Sequence, residues 1–310
     1  MKPSPEVAAP FREVCYSSAD GLRLYARAYE EAGIEGPAVL CLPGLTRNSR
    51  DFEVLAPHLA RRYRVLCPDL RGRGYSERDS NCQNYQPVTY LADILALLKT
   101  LSVPRVAIIG TSLGGLLAMM LAASQRDMVA GIVLNDIGPE IDPAGLERIR
   151  GYAGQLPAVC TWAEAVMQLR SVHGQAWLGL DDATWMRLAR RSYREDSSGT
   201  PVLDCDPGVG NALRSAPAQP ADLWPLWAAL GPLPALAIRG ELSDILSPAT
   251  FERMQREKPD LMRQTVAQRG HVPLLDEPDC LPAIDAFLAR LEFVSQGSET
   301  HVFAVGAGAP

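Results

Sequence analysis

Apolar residues in the first half of the chain fall into two kinds of run that take turns. Leu22–Tyr29 alternates apolar and polar positions with a period of two, as a half-buried strand requires. Ala38–Leu42, Val65–Pro68, Val106–Gly110 and Gly131–Leu134 are short and continuously apolar, which predicts strands covered on both faces. Between them, Asp51–Arg62 and Val88–Leu101 repeat apolar residues three and four apart and predict helices. In the second, Leu91, Ile94, Leu95, Leu97, Leu98 and Leu101 share one face. Leu113–Ala123 predicts a further, apolar helix. This alternation predicts an α/β protein whose mostly parallel sheet carries helices on both faces.

After Asp136 the rhythm changes. Leu146–Gly154, Thr161–Val172 and Asp182–Tyr193 read as helices joined by polar or Gly-rich loops such as Ser197–Thr200. All five tryptophans (Trp162, Trp177, Trp185, Trp224 and Trp227) lie in or just after this stretch. Strand pattern returns at Leu236–Arg239 and Arg263–Ala267, with helices at Pro248–Arg256 and Leu281–Leu291. The expected organisation is a sheet domain formed by residues 1–138 and 221–296, interrupted by a helical insertion over 139–220. Residues 297–310, small and polar, are expected to form a frayed tail.

Composition narrows the function classes. The 310 residues are 47% hydrophobic and 21% charged, which fits a globular chain and excludes wholesale disorder. A net charge of −6 lacks the positive field that broad nucleic-acid binding needs. No apolar run reaches membrane-spanning length, and Met1–Pro10 lacks the order of a secretory signal. Seven scattered cysteines without CxxC spacing argue against a disulfide framework or a zinc site, and point to a reducing, cytoplasmic setting.

Candidate chemistry centres on Gly110-Thr111-Ser112-Leu113-Gly114-Gly115, between a strand and an apolar helix. A serine at the point of such a turn holds a strained backbone. Gly110 and Gly114 leave room for it, and the Leu113 N–H opens the helix where negative charge is favoured. A hydroxyl needs a base to become nucleophilic. Of His58, His173, His271 and His301, only His271 directly follows a strand at the carboxyl edge of the sheet, where Ser112 also emerges. An acidic partner must then orient the imidazole. Asp244, after Leu236–Arg239, is the favoured candidate. Asp136, after Gly131–Leu134, is a rival, and Glu241 lies too near its strand end.

Together these segments resemble the α/β-hydrolase superfamily over roughly Phe11 to Val294. The pieces that carry the resemblance are Leu42-Pro43-Gly44-Leu45, Asp69-Leu70-Arg71-Gly72-Arg73-Gly74-Tyr75-Ser76, the Ser112 elbow, Asp244 and Gly270-His271. It implies an eight-stranded, mostly parallel α/β-hydrolase sheet with a helical cap inserted after the sixth strand. It also implies hydrolysis through an acyl-enzyme, with no metal and no cofactor, and a chain order Ser, Asp, His. By the family pattern the oxyanion hole falls to the amides of Leu45 and Leu113. The usual His-Gly of that loop is here Pro43-Gly44, and proline has no N–H to offer. The Asp69–Ser76 segment is expected to be structural, and its Gly72-Arg73-Gly74 does not continue into a dinucleotide fingerprint.

The expected reaction is cleavage of a carboxylic ester or lactone of a small, largely apolar substrate, with Ser112, Asp244 and His271 catalytic. Thr46, Arg47, Trp162, Trp177 and Trp185 are the candidate substrate contacts. Met167, Met186, Leu178 and Leu180 suggest an apolar lid, although a helical insertion also needs bulky residues for its own core. The same three residues would equally serve carbon–carbon bond hydrolysis of the ring-cleavage type or acyl transfer, and a catalytically silent binding protein ranks lower. The partner expected is a small molecule, with no nucleic acid and no membrane; a homodimer is compatible with a sequence that fixes no oligomeric state.

Overall fold

A computed structural model of the protein describes residues 11–30, 38–217 and 221–291. The expected tail at 297–310 and His301 lie outside the described residues. The chain opens with strands β1 (Arg12–Ser17), β2 (Arg23–Tyr29) and β3 (Ala38–Leu42), then helix α1 (Leu55–Ala60), β4 (Arg64–Asp69) and α2 (Pro87–Thr100). It continues with β5 (Val106–Thr111), α3 (Leu113–Ser124) and β6 (Val129–Asn135). Next come α4 (Pro143–Tyr152), α5 (Trp162–His173), α6 (Asp182–Ser192), a hairpin of β7 (Tyr193–Glu195) and β8 (Pro201–Leu203), α7 (Pro207–Ser215) and α8 (Trp224–Ala229). It closes with β9 (Ala235–Gly240), α9 (Pro248–Glu257), β10 (Met262–Val266) and α10 (Cys280–Ala289).

Eight strands form one sheet in the order β1-β2-β4-β3-β5-β6-β9-β10. β2 runs antiparallel to both β1 and β4, and the remaining neighbours are parallel. Alternation within each central strand feeds two cores. Leu40 and Leu42 of β3 enter one with α2, α3 and α8, while Val39 and Cys41 enter the other with α1 and α10. Strands buried on both faces must be apolar throughout, and every residue of β3, β5 and β6 is buried.

Helix starts follow local chemistry. Asp142, Asp206 and Ser247 each cap a helix whose next residue is proline, which needs no N–H partner in the first turn. The helix expected over Asp51–Arg62 is instead a 3-10 turn at Ser49–Phe52 followed by the short α1. Pro57 accounts for the break: inside a longer helix its ring would displace the carbonyl four residues back.

Between β6 and β9 the chain leaves the sheet. There α5 and α6 pair around a small core of their own, containing Ala165, Leu169, Trp185, Leu188 and Ala189. Trp227 joins the main core, and Trp224 packs against it. Among the described residues no helix is long and apolar enough to cross a membrane.

Candidate active site

Ser112 joins β5 to α3 with φ +51°, a region that a side-chain-bearing residue adopts only when its surroundings enforce it. The enforcing contacts are close. A Cβ on Gly110 would stand 2.3 Å from the Gly114 carbonyl oxygen, and one on Gly114 would stand 2.1 Å from that of Leu42. Only glycine lets the helix come this near the sheet. The Ser112 N–H donates to the Asn135 carbonyl of the neighbouring strand at 3.0 Å, which fixes the elbow against β6.

His271 follows β10, and its ring lies between two partners. Nε2 stands 2.9 Å from Ser112 Oγ, and Nδ1 stands 2.9 Å from Asp136 Oδ2. The acid at the imidazole is therefore Asp136, and the expectation of Asp244 is corrected. Asp136 immediately follows β6, and β6 pairs with β5 so that Thr111 faces Asn135. Ser112 and Asp136 are thus next in register on adjacent strands. Asp136 takes φ +55° and is sealed from solvent. Its carboxylate also accepts from the Gly240 N–H at 2.8 Å and from Ser243 Oγ at 2.6 Å.

Asp244 lies four residues beyond β9. The loop sends Ser243 inward to Asp136 and turns Asp244 outward, where Arg148 of α4 holds it at 2.5 and 2.9 Å. Burial raises the Asp244 carboxyl, but the hydrogen bonds and charge of Arg148 bring it below its ordinary value. His58 lies elsewhere, on α1, where it meets Asp285 of α10 at 2.8 Å.

The loop after β3 frames the serine from the other side. Gly44 accepts from the Arg47 N–H at 3.1 Å, which orients the Gly44–Leu45 peptide and hence the Leu45 N–H. Arg73, buried to 1% exposure, donates from Nε to the Leu45 carbonyl at 2.9 Å and from Nη1 to the Arg71 carbonyl and the Tyr90 hydroxyl. Asp69 holds the Ser49 and Tyr75 N–H groups at 2.7 and 2.9 Å. The Asp69–Ser76 segment thus braces this loop from below.

Two chambers meet at Ser112. One, of about 70 Å³, is lined by His271, Leu45, Thr46, Arg47, His173 and Trp177 among others, and shares Thr46, Arg47, Tyr152 and His173 with a further cavity of about 260 Å³. The other, of about 470 Å³, is apolar and contains Leu113, Leu116, Ile137, Leu146, Val209 and Leu213, but not His271. Of the candidate contacts, Thr46, Arg47 and Trp177 reach the first chamber. Trp162 and Trp185 line none of these cavities. Trp162 donates to Glu195 near the surface, and Trp185 fills the core between α5 and α6. Met167 and Leu178 are exposed rather than turned to the serine. The apolar walls come from α3, α4 and α7 instead.

The alpha/beta hydrolase fold family matches residues 37–278 of the chain. The chain belongs to the α/β-hydrolase family. Among curated relatives, this α/β hydrolase is 34% identical over 266 residues to a 3-hydroxybutyrate-oligomer hydrolase of Cupriavidus necator, covering 82% of this chain and 90% of that one. It is 30% identical over 239 residues to a 2-(acetamidomethylene)succinate hydrolase of Mesorhizobium japonicum, covering 76% and 82%. A crystal structure of an alpha/beta hydrolase from Novosphingobium aromaticivorans superposes with a TM-score of 0.86 at 46% identity, covering 91% of this chain and 99% of that one.

From the sequence of this α/β hydrolase, His173 in the insertion reads as structural, with substrate contact as the alternative. It ends α5, with its ring stacked on Trp177 (centroids 4.5 Å apart) and edge-on to Tyr152. Hydrogen bonds tie the following turn to the His271 loop: Gly270 N–H to the Ala176 carbonyl at 2.6 Å, and Trp177 Nε1 to the Val272 carbonyl at 2.8 Å. Burial, then the charges of Arg47, Arg148 and His271, push its pKa down to about 3, so the imidazole is neutral. No local motif marks this residue; only the fold brings it into the chamber of Ser112. Among the described residues no cluster of three His, Cys, Asp or Glu side chains could hold a metal ion.

Proposed function

We propose that this α/β hydrolase cleaves carboxylic esters through Ser112 and a covalent acyl-enzyme. The observation that carries the reading is the continuous Ser112–His271–Asp136 relay, with both hydrogen bonds at 2.9 Å, at the meeting point of two chambers. His271 Nε2 takes the Ser112 proton as Oγ attacks the ester carbonyl. Asp136 fixes the tautomer through Nδ1 and stabilises the imidazolium that forms. The carbonyl oxygen, now negative, is received by the N–H groups of Leu45 and Leu113, each such donor being worth about 100- to 1,000-fold in rate. His271 passes its proton to the departing alkoxide. Water, deprotonated by the same imidazole, then releases the acid and restores Ser112.

Direction follows from the walls. The leaving oxygen must meet His271 Nε2, and His271 borders the smaller chamber only. The acyl group then extends into the apolar chamber of about 470 Å³, and the helices between β6 and β9 act as the cap that closes over both. Likeness to a 3-hydroxybutyrate-oligomer hydrolase over most of both chains supports an ester of a hydroxy acid as the substrate class.

Fluorophosphonate labelling tests the nucleophile. Wild-type protein should be modified stoichiometrically with loss of p-nitrophenyl butyrate hydrolysis, and Ser112→Ala should resist both. Labelling of Ser112→Ala to the wild-type extent would place the reactive serine elsewhere.

A further inference from the structure

Two sealed polar atoms, on residues that line the chamber of His271, have no use in the reaction as written. Arg191 of α6 is 2% exposed; its Nε donates to Glu53 at 2.9 Å, while its Nη2 has only Asp276, 4.0 Å away, and no hydrogen-bond partner among the described residues. His173 Nδ1 is likewise buried without a partner. A buried polar atom without a partner is costly, so a fold that keeps two such atoms on residues of one chamber has something to place against them. Both residues line the pocket that holds Ser112 and His271.

Arg47 stands in the same wall. Asp51 takes its Nε and one Nη2 proton at 2.8 and 2.5 Å, and Ser192 contacts Nη1. A guanidinium has five N–H groups, so two remain. The charges acting on His173 are all positive: Arg47, Arg148 and, when protonated, His271. A neutral imidazole with its proton on Nδ1 can donate to an anion placed there, beside the two free Arg47 N–H groups. The opposite chamber differs in kind, since its walls carry Leu113, Leu116, Ile137, Val209 and Leu213 and no arginine.

We infer that the leaving alcohol carries a carboxylate, received in the smaller chamber by Arg47, Arg191 and His173. The inference rests on the ester-hydrolase reading and deepens it: the substrate is a hydroxy-acid ester read from its free carboxyl end, with the acyl chain in the apolar chamber. The carboxylate takes no part in bond making or breaking. It fixes the ester oxygen beside His271 Nε2, and the products are a carboxylic acid and a hydroxy acid.

The test compares 3-(butanoyloxy)butanoate with its methyl ester, following butyrate release from each, with p-nitrophenyl butyrate as a substrate that has no carboxylate. Wild-type kcat/KM for the free acid should exceed that for the methyl ester at least about tenfold, as a charge-assisted hydrogen bond implies. In His173→Phe, which keeps the stack on Trp177, and in Arg47→Gln the ratio should fall to within about threefold of one. Because the readout is a ratio between two substrates on one preparation, partial unfolding of a variant cancels. A wild-type ratio near or below one overturns the inference while leaving the ester-hydrolase reading intact. A ratio that survives both substitutions overturns the assignment to these residues. No turnover of any of the three compounds fails the reading beneath it.

Discussion

Replacing Asp136 by asparagine asks the structure its hardest question. The carboxylate is sealed from solvent and accepts three hydrogen bonds, from Gly240 N–H, Ser243 Oγ and His271 Nδ1. If the asparagine Oδ1 keeps the Gly240 bond, its amide nitrogen faces the imidazole and donates to Nδ1. The ring proton then moves to Nε2, which can no longer accept from Ser112. The equivalent change in a serine protease costs about 10⁴-fold in kcat, or about 5 kcal/mol of transition-state stabilisation. Asp244→Asn removes instead a partly exposed pair with Arg148, where the carboxylate is 39% exposed. Such pairs contribute about 0.2–1 kcal/mol, so kcat/KM should change by less than about fivefold. The assay is p-nitrophenyl butyrate hydrolysis with the rate of fluorophosphonate labelling, and far-UV circular dichroism to confirm that each variant is folded. A folded Asp136→Asn protein of near wild-type rate, beside an Asp244→Asn protein slowed a thousandfold, would refute the assignment of the acid.

Acid stability should depend on His173. Its folded pKa of about 3 lies below the ordinary 6.5, so between those values the unfolded chain holds the extra proton. Stability from this residue is complete above the ordinary value and falls as pH drops through the window, by about 2 kcal/mol at pH 5. Urea midpoints at pH 7 and pH 5 should therefore converge in His173→Phe relative to wild type; an unchanged gap would show that His173 is not the titrating group. Filling the larger chamber should shorten the preferred acyl chain. Leu213→Trp should lower kcat/KM for p-nitrophenyl octanoate at least about tenfold more than for the acetate, as loss of the space for two or more methylenes implies. Equal effects on both esters would move the acyl chain elsewhere.

Much of the sheet was readable because burial on both faces leaves a plain mark. Ala38–Leu42 and Val106–Gly110 are apolar without interruption, and they are β3 and β5. Arg12–Ser17 carries no such mark: as an antiparallel edge strand it exposes alternate residues, and only the strand count implied by the family resemblance left room for it. Which carboxylate meets the imidazole is hidden in the sequence for a related reason. Asp136 and Asp244 both follow strands, and the linear order of residues cannot say which turn points inward. That choice is made by the pairing of β5 with β6, which puts Ser112 and Asp136 level, and by Arg148, which draws Asp244 away. Tryptophan content likewise marks the insertion without distinguishing Trp177, which lines the chamber of Ser112, from Trp185, which lines no chamber and fills a helix pair.

Arg73 supports the loop beside Ser112 without lining either chamber. Its guanidinium spans from the Leu45 carbonyl to the Tyr90 hydroxyl of α2, with its charge 4.7 Å from the centre of the Tyr90 ring. The loop is therefore set like a keystone by α2, whose Tyr90 shares one core with Leu45. Changes of substrate can fall on the helices between β6 and β9, while the aromatic ring of α2 and the arginine resting on it stay under constraint.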